Sequence, residues 1–72
     1  MRPMESGIVS WYSAAKRFGF ITPEGGGKDV VVHAEALEAA GIGPLEPGMA
    51  VRFSTEPYRN ARKVAAIERD PT

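Results

Sequence analysis

Apolar residues in this chain come in short, closely spaced runs, and five of these have the length and the β-branched or aromatic content of strands. They are Ile8 to Ser13, Arg17 to Thr22, Asp29 to His33, Ala50 to Thr55 and Lys63 to Arg69. Breaker clusters separate them: Pro23 with Gly25, Gly26 and Gly27, then Gly41, Gly43, Pro44, Pro47 and Gly48. Ala34 to Ala40 (AEALEAA) has helix-forming composition but lies between a strand and a glycine-rich stretch, so one or two helical turns within a long connection are predicted. The ends before Ser6 and after Asp70 are expected to fray, which leaves one domain over residues 6–69.

The loop Pro23 to Lys28 predicts an antiparallel hairpin between the second and third runs. Alternation then allows two registers. In one, Ile21, Val30 and Val32 face inward while Phe18, Phe20, Val31 and His33 face out. In the other, the phenylalanines are buried together with His33, and Ile21, Val30 and Val32 are left in water. The first is the better arrangement overall, and it puts two phenylalanines on the surface. In the first run Val9 looks like core, yet Trp11 has the same parity and Tyr12 points the other way. A bulge or sharp coiling near Trp11 resolves this, and such devices close short sheets into barrels. Burial of Trp11 is the plainer alternative, but a regular strand cannot bury both Trp11 and Tyr12.

A chain of 72 residues holds one compact core, and 43% hydrophobic with 25% charged residues argues for a folded one. Cysteine is absent, which removes disulfide frameworks and thiolate metal sites and fits a reducing compartment. No apolar run approaches the roughly 20 residues needed to cross a bilayer, and Met1 to Glu5 carry no signal-peptide core. A cytoplasmic protein with no membrane partner is expected. Nine basic and nine acidic residues cancel, which counts against tight nonspecific duplex binding. Their distribution is uneven: Lys16 and Arg17, then Arg59, Arg62 and Lys63, form two basic groups that a fold can bring to one electropositive side.

The informative segments are SWY (Ser10 to Tyr12), KRFGFI (Lys16 to Ile21) and DVVVH (Asp29 to His33). Aromatics alternating with glycine beside a lysine suit unpaired nucleotides. Flat rings offer stacking platforms, glycine lets backbone or base approach, and the cation meets phosphate. At these residues the chain resembles the cold-shock domain. The resemblance runs from Gly7 to about Ile67 through GIVSWY, KRFGFITP, DVVVHAEAL and LEPGMAVRF (Leu45 to Phe53), which jointly are highly specific. It implies an all-β, five-stranded antiparallel barrel of the OB-fold type that binds single-stranded RNA or DNA. It also implies that Trp11, Phe18, Phe20 and His33 stack on bases, that Lys16 meets the backbone and that Tyr12 stands in for a family phenylalanine. Ile8, Val9, Ile21, Val30, Val32, Val51 and Ile67 are implied to be largely interior.

Several positions depart from the family pattern. Ser10 stands where lysine is usual and Arg17 where glycine is usual, while Val31 and Ala34 occupy places that are typically aromatic. At roughly 1 to 3 kcal/mol per stacked base, two missing platforms weaken binding by several orders of magnitude unless something compensates. The candidate compensation is Arg17 together with Tyr58, Arg59, Arg62 and Lys63 in the loop before the last strand, since arginine pairs with phosphate and stacks on bases. The plainer reading of Arg59, Arg62 and Lys63 is a solvated loop.

No nucleophile with a base, no paired-carboxylate signature and no Walker-type loop is present, so an enzyme is not expected, nor a metal site or cofactor. Asp29 is expected to accept backbone N–H bonds in the hairpin, and the glutamates of Ala34 to Ala40 to form a solvated face that repels phosphate. The expected function is that of a monomeric, ATP-independent nucleic-acid chaperone, with regulation of transcription or translation implied by the resemblance. The rival is a degenerate barrel that has lost nucleic-acid affinity and serves as a protein-interaction module.

Overall fold

The computed structural model describes residues 4–70. Five strands and one short helix follow in the order β1 (Glu5–Ser13), β2 (Phe18–Pro23), β3 (Val30–His33), α1 (Ala34–Ala40), β4 (Ala50–Tyr58) and β5 (Ala61–Arg69). The strands close into a barrel in the order β1-β2-β3-β5-β4. Neighbours in this ring are antiparallel except at the closure, where β3 and β5 run parallel with Val31 opposite Lys63. The sheet is therefore mixed rather than wholly antiparallel. The long connection through α1 carries the chain across before β4, so β5 returns along β3 in the same direction.

Two extra residues reconcile the sequence pattern with this closure. Between β1 and β2 the register moves from Val9 opposite Ile21 to Trp11 opposite Phe20, leaving Ser10 unmatched. Val9 is consequently buried and Trp11 faces out. Between β4 and β5 the register moves from Ser54 opposite Ala66 to Thr55 opposite Val64, which leaves Ala65 unmatched and allows both Val64 and Ile67 to face the interior. Such bulges bend and twist a sheet locally, as closing a small barrel requires.

The core consists of Val9, Ile21, Val30, Val32, Leu37, Leu45, Val51, Phe53, Val64 and Ile67. Ile8, implied to be interior, is 38% exposed. It alternates with the buried Gly7 and Val9 and so lies on the outer side of β1. At Gly7 a Cβ would meet Ile21, Thr22 and Phe53 within 2.9 Å, so the absence of a side chain lets strand and core approach.

The helix occupies the expected Ala34–Ala40, with Leu37 buried. It ends at Gly41, whose φ of 73° is left-handed. The Gly41 N–H donates to the Glu38 carbonyl (3.1 Å) and the Ile42 N–H to the Leu37 carbonyl (3.1 Å), closing the helix in a Schellman arrangement. Glu5, expected to fray, pairs with Phe53 at the start of β1. Residues 1–3, 71 and 72 lie outside the described residues.

Candidate nucleic-acid interface

The outward residues of β1, β2 and β3 come together because the strand pairing aligns them. Phe18 lies opposite Ser13 and His33, and Phe20 lies opposite Trp11 and Val31. Val31 in turn faces Lys63 across the parallel junction. A cross-strand row therefore runs Trp11, Phe20, Val31, Lys63, with Phe18 and His33 beside it. Trp11 is 40% exposed, while Phe18, Phe20, Val31 and His33 are half-buried on the side opposite Ile21, Val30 and Val32.

Three rings form one cluster on this face. The ring centroids of Trp11 and Phe18 are 5.3 Å apart and those of Phe18 and Phe20 5.8 Å, both edge-to-face. Those of Trp11 and Phe20 are 6.1 Å apart with planes 30° from parallel. Edge-to-face contacts fix ring orientation and contribute about 0.5 to 1.5 kcal/mol beyond the area they cover. Gly19, between the phenylalanines, is buried, and a Cβ there would collide with the Trp11 carbonyl and the Tyr12 backbone. The approach it permits is that of β1's backbone, not of a base. Tyr12, opposite Gly19, packs against the core from the inner side of β1 and belongs to no ring pair of the cluster.

A second group extends the face toward the β4–β5 turn. His33 and Tyr58 meet edge-to-face at 5.5 Å, and the Lys63 Nζ and Arg59 Cζ lie 5.4 and 5.8 Å from the Tyr58 ring centre. Tyr58, Arg62 and Lys63 belong to strands rather than to the expected loop; only Arg59 and Asn60 form the turn. Lys63 shares its charge with Glu56 at 3.3 Å. Arg62 alternates with Lys63 along β5, and its guanidinium donates to the Glu5 carboxylate at 2.9 Å, so the two basic neighbours point to different faces.

At the other end, Lys16 is exposed, with its backbone N–H donating to the Ser13 hydroxyl at 3.2 Å. Arg17 closes the β1–β2 turn with a φ of 63°. Its Nη2 donates to Glu38 Oε1 at 2.7 Å. The hydrogen bond it donates to Glu38, and then the carboxylate's charge, raise the guanidinium pKa above its ordinary value. The helix face expected to be merely solvated thus holds an ion pair with the turn. Both side chains also line a cavity of about 200 Å³ with Tyr12, Ala34, Leu37 and Ile42. Ala34, 8% exposed, starts α1 beside this cavity. Sequence reasoning missed Glu38, Leu37 and Ile42 as neighbours of the face. The signal was faint, because Arg17 and Glu38 are 21 residues apart and only the docking of α1 joins them.

Asp29 accepts a hydrogen bond from the Thr22 hydroxyl (3.1 Å), a side-chain partner across the hairpin rather than the expected backbone N–H groups. Among the described residues no cluster of three His, Asp or Glu side chains is placed to hold a metal ion, and no helix is long and apolar enough to cross a membrane.

The 'Cold-shock' DNA-binding domain matches residues 5–68. Over 56 residues the chain is 46% identical to the cold shock protein CapA of Pseudomonas fragi, spanning 78% of this chain and 88% of that protein. It is 48% identical over 52 residues to the cold shock-like protein CspA of Bordetella pertussis, spanning 72% and 78%. Identity to a probable cold shock protein of Sinorhizobium fredii is 40% over 63 residues, or 88% and 91% of the two chains. A match that runs from the first strand of the barrel to the last makes this chain a member of the 'Cold-shock' DNA-binding domain family.

Proposed function

We propose that the chain binds single-stranded RNA or DNA, stacking bases on Trp11, Phe18, Phe20, His33 and Tyr58 while Lys16, Arg59 and Lys63 meet phosphates. The observation that carries this reading is the three-ring cluster of Trp11, Phe18 and Phe20, which lies outside a core already filled by aliphatic residues and Phe53. Rings held partly in water on a rigid strand have ordered geometry and an open face, the two properties that base stacking needs. Paired bases hide their faces, so the surface favours unpaired segments. Membership of a DNA-binding domain family supports the same ligand class.

By binding open segments and not closed ones, the protein shifts nucleic-acid hairpins toward their open forms by its differential affinity alone. No nucleotide hydrolysis is required. In this reading it is a monomeric cytoplasmic nucleic-acid chaperone, and the exposed segments it holds are the route to regulating transcription or translation. Arg62, engaged with Glu5, is outside the proposed track.

The test is titration of a short pyrimidine-rich single strand at low salt, followed through the fluorescence of Trp11, the one tryptophan in the sequence. Low-micromolar or tighter binding with quenching is expected. Three phosphate contacts give a slope of roughly −2 in log affinity against log salt, at about −0.7 per contact for single strands. The absence of rings at Val31 and Ala34 favours a second reading, a barrel that binds protein instead, and a strand that neither binds nor quenches would decide for it.

A further inference from the structure

We infer that Glu38 sets the affinity of the strand-binding face by competing with phosphate for the guanidinium of Arg17. The inference rests on the proposed function and adds to it a residue that opposes the ligand.

The backbone builds this competition. Arg17 donates its N–H to the Ser13 carbonyl (2.8 Å) and accepts the Ala34 N–H on its own carbonyl (3.0 Å), so the turn is tied both to β1 and to the first residue of α1. Glu38 follows Ala34 by four residues and therefore lies on the same side of the helix, one turn on. Its carboxylate meets the guanidinium at 2.7 Å, next in sequence to Phe18 and Lys16. Both side chains are largely in water, at 61% and 64% exposure. Ion pairs of this kind are weak and exchange readily, so a phosphate carried in by a base stacked on Phe18 is an adequate rival. The guanidinium stays charged across the working pH range, and the competition is between two anions for one permanent cation.

The conformation of Arg17 is the second observation. Its φ of 63° is one that glycine adopts freely and L side chains rarely adopt. A solvated ion pair contributes too little to offset that strain by itself. The turn nevertheless presents the Arg17 side chain next to Phe18, where its charge is open to either anion. In the natural protein Glu38 holds the Arg17 guanidinium back from the strand, and its carboxylate repels phosphate. Glu38 thereby lowers affinity and flattens its salt dependence.

A double-mutant cycle tests this, with Glu38→Gln, Arg17→Gly and the pair titrated against the same pyrimidine-rich strand over a range of salt. Glutamine is a good helix former, so Glu38→Gln is expected to fold. It should tighten binding roughly two- to fivefold at low salt. The salt slope should steepen by about 0.7, the share of one added phosphate contact. Arg17→Gly should weaken binding more in the Glu38→Gln background than in the natural one. Unchanged or weaker binding by Glu38→Gln overturns the inference, and so does an equal gain with and without Arg17, which would reduce Glu38 to general repulsion. If the natural protein binds and Phe18→Ala abolishes that binding, a failed cycle removes this inference alone. Should the natural protein and every variant fail to bind, the strand-binding reading falls and this one with it.

Discussion

Trp11 and Phe20 lie directly opposite each other on β1 and β2, with ring planes 30° from parallel, and Phe18 meets both of them edge-on. This geometry exists because Ser10 is an extra residue in β1, which turns Trp11 to the outer side while Val9 stays in the core. Phe18 acts as a wedge that fixes the other two rings, and all three keep part of their faces in water.

Replacing Phe20 by leucine keeps most of the packing volume but removes the flat face. Affinity for a pyrimidine-rich strand should fall by roughly 5- to 150-fold, the equivalent of one stacked base, while the melting temperature changes little. Phe18→Ala should lose at least as much, because it frees the neighbouring rings as well as removing its own. A leucine variant that binds as tightly as the natural protein would show that Phe20 is packing and not a platform.

Val31 occupies the gap in the row between Phe20 and Lys63. Because Val31 is half-buried on the outer side, a phenylalanine there projects away from the core. Val31→Phe is expected to supply a further platform and tighten binding by about 5- to 150-fold. Oligonucleotide titration of a variant shown by its melt to be folded checks this, and unchanged affinity would mean that the strand does not cross β3.

The elements themselves were legible in the sequence because their signals are local. Alternation in FGFIT and VVVH sets which side of β2 and β3 is apolar, and Gly25 to Gly27 mark the turn between them. Bulges carry a weaker signal. The conflict of parity between Val9 and Trp11 announced the one at Ser10, but nothing around Ala65 did so, since small residues fit either side of a strand. The parallel pairing of β3 with β5 was not legible, because it depends on where the α1 connection deposits the chain. For the same reason the two basic groups could be seen but their partners could not. Arg62 to Glu5 spans 57 residues and Arg17 to Glu38 spans 21, and only closure of the barrel and docking of the helix make them neighbours.

Gly19 tests how closely β1 and β2 must approach beneath the rings. A Cβ at this position runs into the Trp11 carbonyl and Tyr12, backbone that cannot move without disturbing the bulge at Ser10. Gly19→Ala is expected to destabilise the fold by about 1 to 3 kcal/mol. For a domain of this size that corresponds to a fall in Tm of roughly 4 to 8 °C per kcal/mol. Thermal unfolding followed by circular dichroism reads it directly, and an unshifted melt would contradict the close approach.

Arg59 separates stability from binding. With a φ of 54° in the turn between β4 and β5, it shares with Arg17 a left-handed backbone that favours glycine. Relief of that strain exceeds the extra chain entropy of glycine, so Arg59→Gly should stabilise the fold by about 0.5 to 1 kcal/mol. The same change removes a cation that lies 5.8 Å from the Tyr58 ring centre, at the edge of the proposed track. Affinity for a single strand should therefore fall as the melting temperature rises, and the salt slope should become shallower by about 0.7. A merely solvated turn predicts the rise in stability without the loss of binding. Melting and salt-dependent titration of the one variant thus distinguish a residue kept for its charge from one that is only tolerated.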